Sequence, residues 1–145
     1  MAEQRPHRSS RSKARSRALT VLYESEVRGL ALDGTLQQRL DDQDPPVAGY
    51  TVELVRGVVD HQEPIDELIG RYSKDWSLSR MPAVDRNALR LALFEMRHTD
   101  VPDEVAIDEA VDLVTELSTD ESPAFVNGVL GAILRDGTHR MPDDS

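Results

Sequence analysis

The sequence predicts an all-α fold. Apolar residues recur at helical spacing along almost the whole chain, and the two-residue alternation typical of a half-buried strand is nowhere sustained beyond a few positions. The length of 145 residues is that of one domain with a core of ordinary size. We therefore expect a flexible basic arm over residues 1–12, a single all-helical domain over residues 13–135 and a disordered tail over residues 136–145.

Four helices are predicted in the first half of the chain, each carrying an apolar stripe. Serine residues can cap the first of them, and prolines separate the later ones. The predicted helices are one from Ser9 or Ser10 to Gly29, a short one around Leu36 and Leu40 that ends at Asp44-Pro45-Pro46, one over about residues 47–61, and one from Pro64 to Tyr72. Trp76 and Leu78 are expected to fix the following segment to the core.

The fifth helix, opened by Pro82, is predicted to be the central element. Residues 84–96 are apolar on nearly every side, and a helix of this kind is surrounded by protein. Its two cations, Arg86 and Arg90, fall on one face, which we expect to reach solvent or a ligand. A sixth helix follows Pro102, and a seventh is expected to open with Ser122 as its cap and Pro123 in its first turn.

The charge is distributed very unevenly along the chain. Residues 1–17 carry six basic side chains and one acidic side chain, or +5, whereas the remainder carries 11 basic and 26 acidic side chains, or −15. A partner with concentrated negative charge is indicated, and nucleic acid is the leading candidate. Only Pro6 is apolar between Arg5 and Lys13, so a membrane surface is not expected. The alternative is a solvated tail, but the basic residues continue into the first helix.

Several classes of function are disfavoured. There is no cysteine, no apolar stretch approaching the ~20 residues of a membrane span and no signal peptide, so a cytoplasmic protein is expected. The four histidines are scattered, and no nucleophile, base and oxyanion site can be named together. We therefore expect no metal, no cofactor and no catalysis.

A second candidate surface lies at the start of the seventh helix. Phe125 follows a polar loop at a helix N-terminus, where backbone amides can meet phosphate and an aromatic ring can stack on an unpaired base. Burial of this ring in the core is the alternative. Gly128 and Gly131 are poor helix formers within an apolar run, and close helix packing is the favoured explanation for both.

An ordered set of short segments resembles the NusB family of transcription antitermination factors. These segments are Ala14-Arg15, Ala18-Leu19 and Leu22-Tyr23; Ile65-Asp66-Glu67-Leu68-Ile69; Trp76-Ser77-Leu78; Pro82 to Asn87 and Leu89 to Glu95; Asp100-Val101-Pro102; Val105-Ala106-Ile107 and Glu109-Ala110-Val111; and Phe125 to Leu130. The resemblance implies seven helices in two small bundles that share a long central helix. It also implies a non-catalytic adaptor that pairs with NusE, a small-subunit ribosomal protein. The pair binds boxA RNA and joins an RNA polymerase complex that resists premature termination, notably on ribosomal RNA operons.

The resemblance also implies site residues. The RNA contacts would come from the basic arm and from the region around Phe125, with the two cations of the central helix added because of their predicted exposed face. The RNA-binding candidates are Arg8, Arg11, Lys13, Arg15, Arg86, Arg90, Glu121, Ser122 and Phe125, and the NusE-facing candidates are Tyr23 and Glu95. The alternatives are that Tyr23 packs against its neighbours and that Glu95 is solvated. The chain departs from the family at Thr115-Glu116 and Leu117-Ser118, where Ala-Lys and Phe-Gly are common, so a cation is missing near the expected RNA.

Two other functions stay open at this point. Ribosomal RNA cytosine methyltransferases carry a NusB-like domain before a catalytic domain, but this chain leaves no room for a methyl-donor fold. The second alternative is a helical protein-interaction module or homodimer without specific RNA binding.

Overall fold

The structure is a computed structural model that describes residues 9–40, 45–74 and 76–140. Within these ranges it contains seven α-helices, a single-turn 3-10 helix at Leu78–Arg80 and no strand. The helices are α1 (Ser10–Arg28), α2 (Leu32–Leu40), α3 (Pro45–Asp60), α4 (Gln62–Tyr72), α5 (Ala83–His98), α6 (Asp103–Leu117) and α7 (Ser122–Asp136). The predicted fold class and the predicted number of helices are therefore confirmed. None of the helices described is long and apolar enough to cross a membrane.

Local side-chain chemistry sets both ends of α1. The Ser9 hydroxyl oxygen accepts a hydrogen bond from the Ser12 N–H at 3.0 Å, so Ser9 is the N-cap. Gly29 follows the last turn with a φ of 67°, a left-handed conformation that glycine adopts without steric cost. Both expected boundary residues are confirmed.

Pro45 and Pro46 have a different role from the one that the sequence predicts. The two prolines are the first residues of α3, and α2 is described as far as Leu40. Proline suits this position, since the first N–H groups of a helix have no intrahelical acceptor. Residues 41–44 lie outside the described ranges.

The chain divides into two compact units between Arg56 and Gly57, within α3. In the first unit, α1, α2 and α3 each bury apolar side chains, among them Leu19, Leu36 and Leu54. An ion pair between Arg39 and Glu24 joins α2 to α1. The domain boundaries predicted from the sequence stay predictions.

The second unit is built around α5. Every residue from Asn87 to Met96 is buried, and α5 contacts α4, α6 and α7. The helix that is apolar on nearly every side is thus the centre of its unit, as predicted. This arrangement places the start of α7 beside the end of α4, and the loop between α6 and α7 beside the start of α5.

Residues 136–140, the described part of the predicted tail, make defined contacts within the second unit. Gly137 caps α7 with a φ of 70°, and its N–H donates to the Ile133 carbonyl at 2.9 Å. His139 is buried, with its Nε2 atom 3.0 Å from Oδ2 of Asp103. These polar residues are ordered because groups on other helices pair with them, which composition does not indicate. Residues 141–145 lie outside the described ranges.

Candidate nucleic-acid interface

The first turns of α1 present exposed cations. Arg11, Lys13 and Arg17 are exposed, and the first turn contains no acidic residue. The Arg11 guanidinium carbon lies 4.8 Å from the centroid of the Tyr50 ring, a cation–π contact that limits the positions of the arginine. Arg8 lies outside the described residues. Arg17 was absent from the expected RNA contacts, although its place one helical turn after Lys13 could have indicated it.

Arg15 is buried, with 4% of its surface exposed, so this structure does not present it to RNA, and its expected RNA contact stays a prediction. Positions 15, 18, 19 and 22 share one face of a helix, and the apolar members of that face are buried. Helical periodicity could have placed Arg15 on the buried face. Its side chain lies on the buried face of α1 with the apolar residues and is not part of the exposed basic surface.

A chain of hydroxyl groups holds the loop before α7. The Ser122 hydroxyl donates to Ser118 Oγ at 3.0 Å, and Ser118 Oγ donates to Oδ1 of Asp85 at 2.6 Å. The hydroxyls of Thr119 and Ser122 are 2.9 Å apart, and the Thr119 N–H donates to Ser122 Oγ at 3.2 Å. Asp85 is fully buried at the start of α5, so a carboxylate on the central helix anchors the loop.

Two expectations about this loop change as a result. Ser122 is the first residue of α7 and not its N-cap, and its side chain is buried away from any RNA. Glu121 takes the N-cap position and is exposed. Ser122 instead fixes the loop that leads to Phe125. Asp85 was missed as a site residue, and an aspartate in the first turn of an apolar helix gave no indication of its partner 33 residues away.

Phe125 is half-buried in the first turns of α7. Its ring makes an edge contact with Trp76, with the ring centroids 4.9 Å apart and the planes at 65°. It also lines an open cleft of about 340 Å³ between the end of α4 and α7. Full burial in the core, the alternative that the sequence left open, is therefore wrong. Trp76 fixes its segment to the second unit as predicted, and its partner there is Phe125.

Arg86 and Arg90 do not form an exposed basic face. Arg90 is 9% exposed, and its Nε and Nη2 atoms donate to the two carboxylate oxygens of Asp66 at 2.8 and 2.9 Å. Arg86 is half-buried and donates from Nη1 to the carbonyls of Leu78 and Met81 at 2.6 and 3.1 Å. The prediction of a shared exposed face is wrong, because acceptors elsewhere in the second unit bind both guanidinium groups.

The two NusE-facing candidates differ in exposure. Tyr23 is 36% exposed, and Val27, one turn later in α1, is also exposed. Leu30 is exposed as well and lies just beyond the Gly29 cap of that helix. Tyr23 is therefore not confined to internal packing. Glu95 is 1% exposed, so it is neither solvated nor placed on the surface where a partner could touch it. Over the described ranges, no three histidine, aspartate or glutamate side chains are grouped so that they could hold a metal ion.

Two features are typical of a small helical nucleic-acid-binding protein. One is the group of exposed cations at the start of α1, and the other is the half-buried aromatic ring beside a cleft at the start of α7. Comparison with known proteins is consistent with this class. Residues 12–135 match the model of the NusB family, and the chain belongs to that family.

Named relatives and solved structures cover most of the chain. It is 57% identical over 128 residues to the transcription antitermination protein NusB of Nocardioides sp., covering 88% of this chain and 95% of that protein. The corresponding protein of Streptomyces coelicolor is 49% identical, with 86% and 92% covered. The NusB structure from T. maritima has a TM-score of 0.82 at 35% identity, with 90% and 94% covered. A crystal structure of antitermination factors NusB and NusE in complex with dsRNA has a TM-score of 0.79 at 30% identity, with 88% and 97% covered.

Proposed function

We propose that this protein is an RNA-binding transcription antitermination adaptor that pairs with NusE and binds boxA RNA to prevent premature termination, notably in ribosomal RNA transcription. Its relatives are named transcription antitermination proteins, and a structural neighbour holds NusE and RNA. The single observation that carries the proposal is the exposed basic start of α1 on a chain that is otherwise strongly acidic. RNA approaching any other part of the chain meets a net negative charge.

The proposed RNA-binding residues follow from the structure. Arg11, Lys13 and Arg17 neutralise phosphates, Phe125 stacks on a base, and Glu121 lies at the edge of the same loop. Arg8 remains a proposed contact from the sequence alone. Arg15, Arg86, Arg90 and Ser122 act indirectly, because each is buried or bound to other groups of the protein.

The exposed apolar series Tyr23, Val27 and Leu30 is the proposed NusE-binding surface. Glu95 is buried in α5, and we propose no direct contact between it and the partner. The resulting complex acts on RNA polymerase in the cytoplasm through binding alone, and no catalytic step is proposed for this chain.

The basic surface can be tested by its salt dependence. Three to four phosphate contacts, the fourth being Arg8, give a slope of about −2 to −3 for log affinity against log salt concentration on a single strand. The double variant Arg11→Ala/Lys13→Ala should reduce the magnitude of that slope by about 1.4, since each contact on a single strand contributes about 0.7. Arg28→Ala is the matched control, because Arg28 is an exposed cation in the last turn of the same helix. Equal slopes for the double variant and the control would contradict the assignment of this surface.

The series Tyr23, Val27 and Leu30 also favours a second candidate function, self-association without specific RNA binding. Light scattering at several protein concentrations distinguishes the two. A stable dimer that persists at high salt and that Tyr23→Ala disrupts would favour the interaction module. A chain that is monomeric until NusE is added would favour the adaptor.

A further inference from the structure

Weak helix formers occur in two helices. In α7 they are Gly128 and Gly131, and a Cβ atom built on either meets no atom within 4 Å, so the close packing that the sequence favoured for them is wrong. In the first turns of α1 they are serines, which follow the N-cap Ser9: Ser10, Ser12 and Ser16. A glycine offers no side chain, whereas each serine offers a hydroxyl group that can be modified.

Ser10 combines exposure with a hydroxyl group that does not cap the helix. It is exposed, whereas Ser12 and Ser16 are half-buried. The Ser9 hydroxyl already accepts from the Ser12 N–H at 3.0 Å and donates to Ser12 Oγ at 3.1 Å. Ser10 is the first residue of α1, where the N–H groups have no intrahelical acceptor, so this turn can open locally at little cost. An enzyme can therefore reach the Ser10 hydroxyl without unfolding the first unit.

Ser10 lies on the same face of α1 as two of the cations that are proposed to bind RNA. Lys13 comes three residues after it and Arg17 seven residues after it, and these spacings place the three side chains along one side of a helix. The first turn contains no acidic residue that would compensate the positive charge there. A negative charge on Ser10 would therefore lie beside the cations that are proposed to bind RNA phosphates.

We propose that Ser10 is a phosphorylation site and that its phosphorylation switches RNA binding off. The enzyme is a serine kinase with an acidic substrate groove, because Arg8, Arg11 and Lys13 flank the serine in the sequence and kinases select substrates by complementary charge. A bond forms between Ser10 Oγ and the γ-phosphorus of a nucleoside triphosphate, and the bond from that phosphorus to the bridging oxygen breaks. The nucleoside diphosphate leaves, and the hydroxyl proton passes to a carboxylate of the kinase. This inference rests on the proposed function and adds regulation of the same basic surface.

The phosphate changes the charge of the surface without opening the helix. Phosphoserine carries a charge of about −1.5 to −2 at pH 7, and a negative charge at a helix N-terminus is favourable. The phosphate pairs with Lys13 and Arg17, which are then unavailable to RNA. Each lost contact lowers the magnitude of the salt slope by about 0.7, which corresponds to about fivefold in affinity at 0.1 M relative to 1 M salt. Loss of both contacts therefore predicts binding about 25-fold weaker at 0.1 M salt and a slope smaller in magnitude by about 1.4.

The binding test uses the full chain with phosphoserine incorporated at position 10 by codon suppression. Phosphoserine at position 79 is the matched control, because Ser79 is exposed and precedes an arginine but belongs to the second unit. Fluorescence anisotropy of labelled boxA RNA with NusE present should show the loss of affinity and the smaller slope for position 10 and not for position 79. Ser10→Ala should bind like the unmodified protein, since the hydroxyl itself is not a proposed contact. Circular dichroism establishes that the modified chains keep their helices.

The modification itself is tested by mass spectrometry of the protein isolated from its own cells, in growth and in starvation. We expect phosphate on Ser10 under at least one of these conditions, and Ser10→Ala expressed in the same cells should lack it. Absence of phosphate from Ser10 under both conditions would overturn the site.

The possible failures are distinguishable. Equal affinity and equal salt slope for the chains with phosphoserine at positions 10 and 79 would overturn the switch and leave the proposed function in place. If the unmodified protein with NusE binds boxA and scrambled RNA equally, the proposed function itself is wrong.

Discussion

Replacing Arg90 with alanine is expected to destabilise the fold and to leave the salt dependence of RNA binding unchanged. The Arg90 guanidinium donates to both carboxylate oxygens of Asp66 and, from Nη1, to Oδ1 of Asn87 at 3.1 Å. The pair joins α5 to α4 within the second unit. Arg90→Ala removes these three hydrogen bonds and the guanidinium that pairs with Asp66.

The magnitude follows from the burial of the two partners. Removing one member of a buried ion pair costs about 3–5 kcal/mol, because the other charge is left uncompensated. Here the side chain of Asp66 is 24% exposed and that of Arg90 is 10% exposed, so water can partly solvate the remaining carboxylate. We therefore expect a loss of about 2–3 kcal/mol in the free energy of unfolding. For a chain of this length, that corresponds to a decrease of about 6–12 °C in Tm.

Urea unfolding followed by circular dichroism measures this loss. Fluorescence anisotropy of labelled boxA RNA with NusE, recorded under conditions in which the variant is folded, measures binding. The double variant Arg90→Met/Asp66→Leu is a useful companion, because replacing both charges with apolar groups should recover much of the stability. A variant Arg90→Ala with unchanged stability and a shallower salt slope would refute the structural role and restore Arg90 as a phosphate contact.

The remaining predictions concern packing and the loop before α7. A Cβ atom at Gly57 would overlap the buried ring of Phe94, so Gly57→Ala should lower the free energy of unfolding by about 1–2 kcal/mol. Gly70→Ala, where the space is open, should raise the free energy of unfolding by about 0.5–1 kcal/mol. Urea unfolding measures the stability of the two variants. If Gly57→Ala stabilised the protein as Gly70→Ala does, the predicted overlap with Phe94 would be contradicted. Asp85→Ala removes the acceptor that anchors Ser118, so RNA affinity should decrease more than in Asp85→Asn, which keeps an acceptor oxygen. Equal affinities of the two Asp85 variants, measured by anisotropy, would show that the anchor does not position the loop.

Helix positions could be predicted from the sequence because they depend on local patterns. The apolar spacing placed the seven helices of the described residues, and Gly29 and a serine at position 9 or 10 were recognisable as caps by their residue types. The central position of α5 followed from its apolar residues on nearly every side. The place of Pro45 and Pro46 in the first turn of α3 was not predicted, because a proline pair is compatible with both the end of one helix and the start of the next.

Features that depend on distant partners could not be predicted. Arg90 and Asp66 are 24 residues apart, and His139 and Asp103 are 36 residues apart. In each case the sequence pattern showed a polar residue on a helix or in a polar tail and gave no indication of its partner. The fold brings the two residues together. Arg15 is different, since its place on the same helical face as Leu19 and Leu22 indicated burial.

The candidate site was predicted in part for the same reason. The exposure of Arg11 and Lys13 and the half-buried position of Phe125 agree with their choice as candidates by residue type and position, and their RNA contacts stay predictions. The cleft required the structure, since Ser73 and Lys74 follow the end of α4 while Phe125 lies in α7, and only the fold brings these residues together.

The central claim is that this protein, together with NusE, distinguishes boxA RNA from other RNA. It is tested most directly by fluorescence anisotropy of labelled boxA RNA and of a scrambled RNA, each titrated with the protein in the presence and absence of NusE. We expect tighter and sequence-dependent binding when NusE is present. Equal affinity for the two RNAs, with NusE present, would contradict the account and leave a helical interaction module with a basic end.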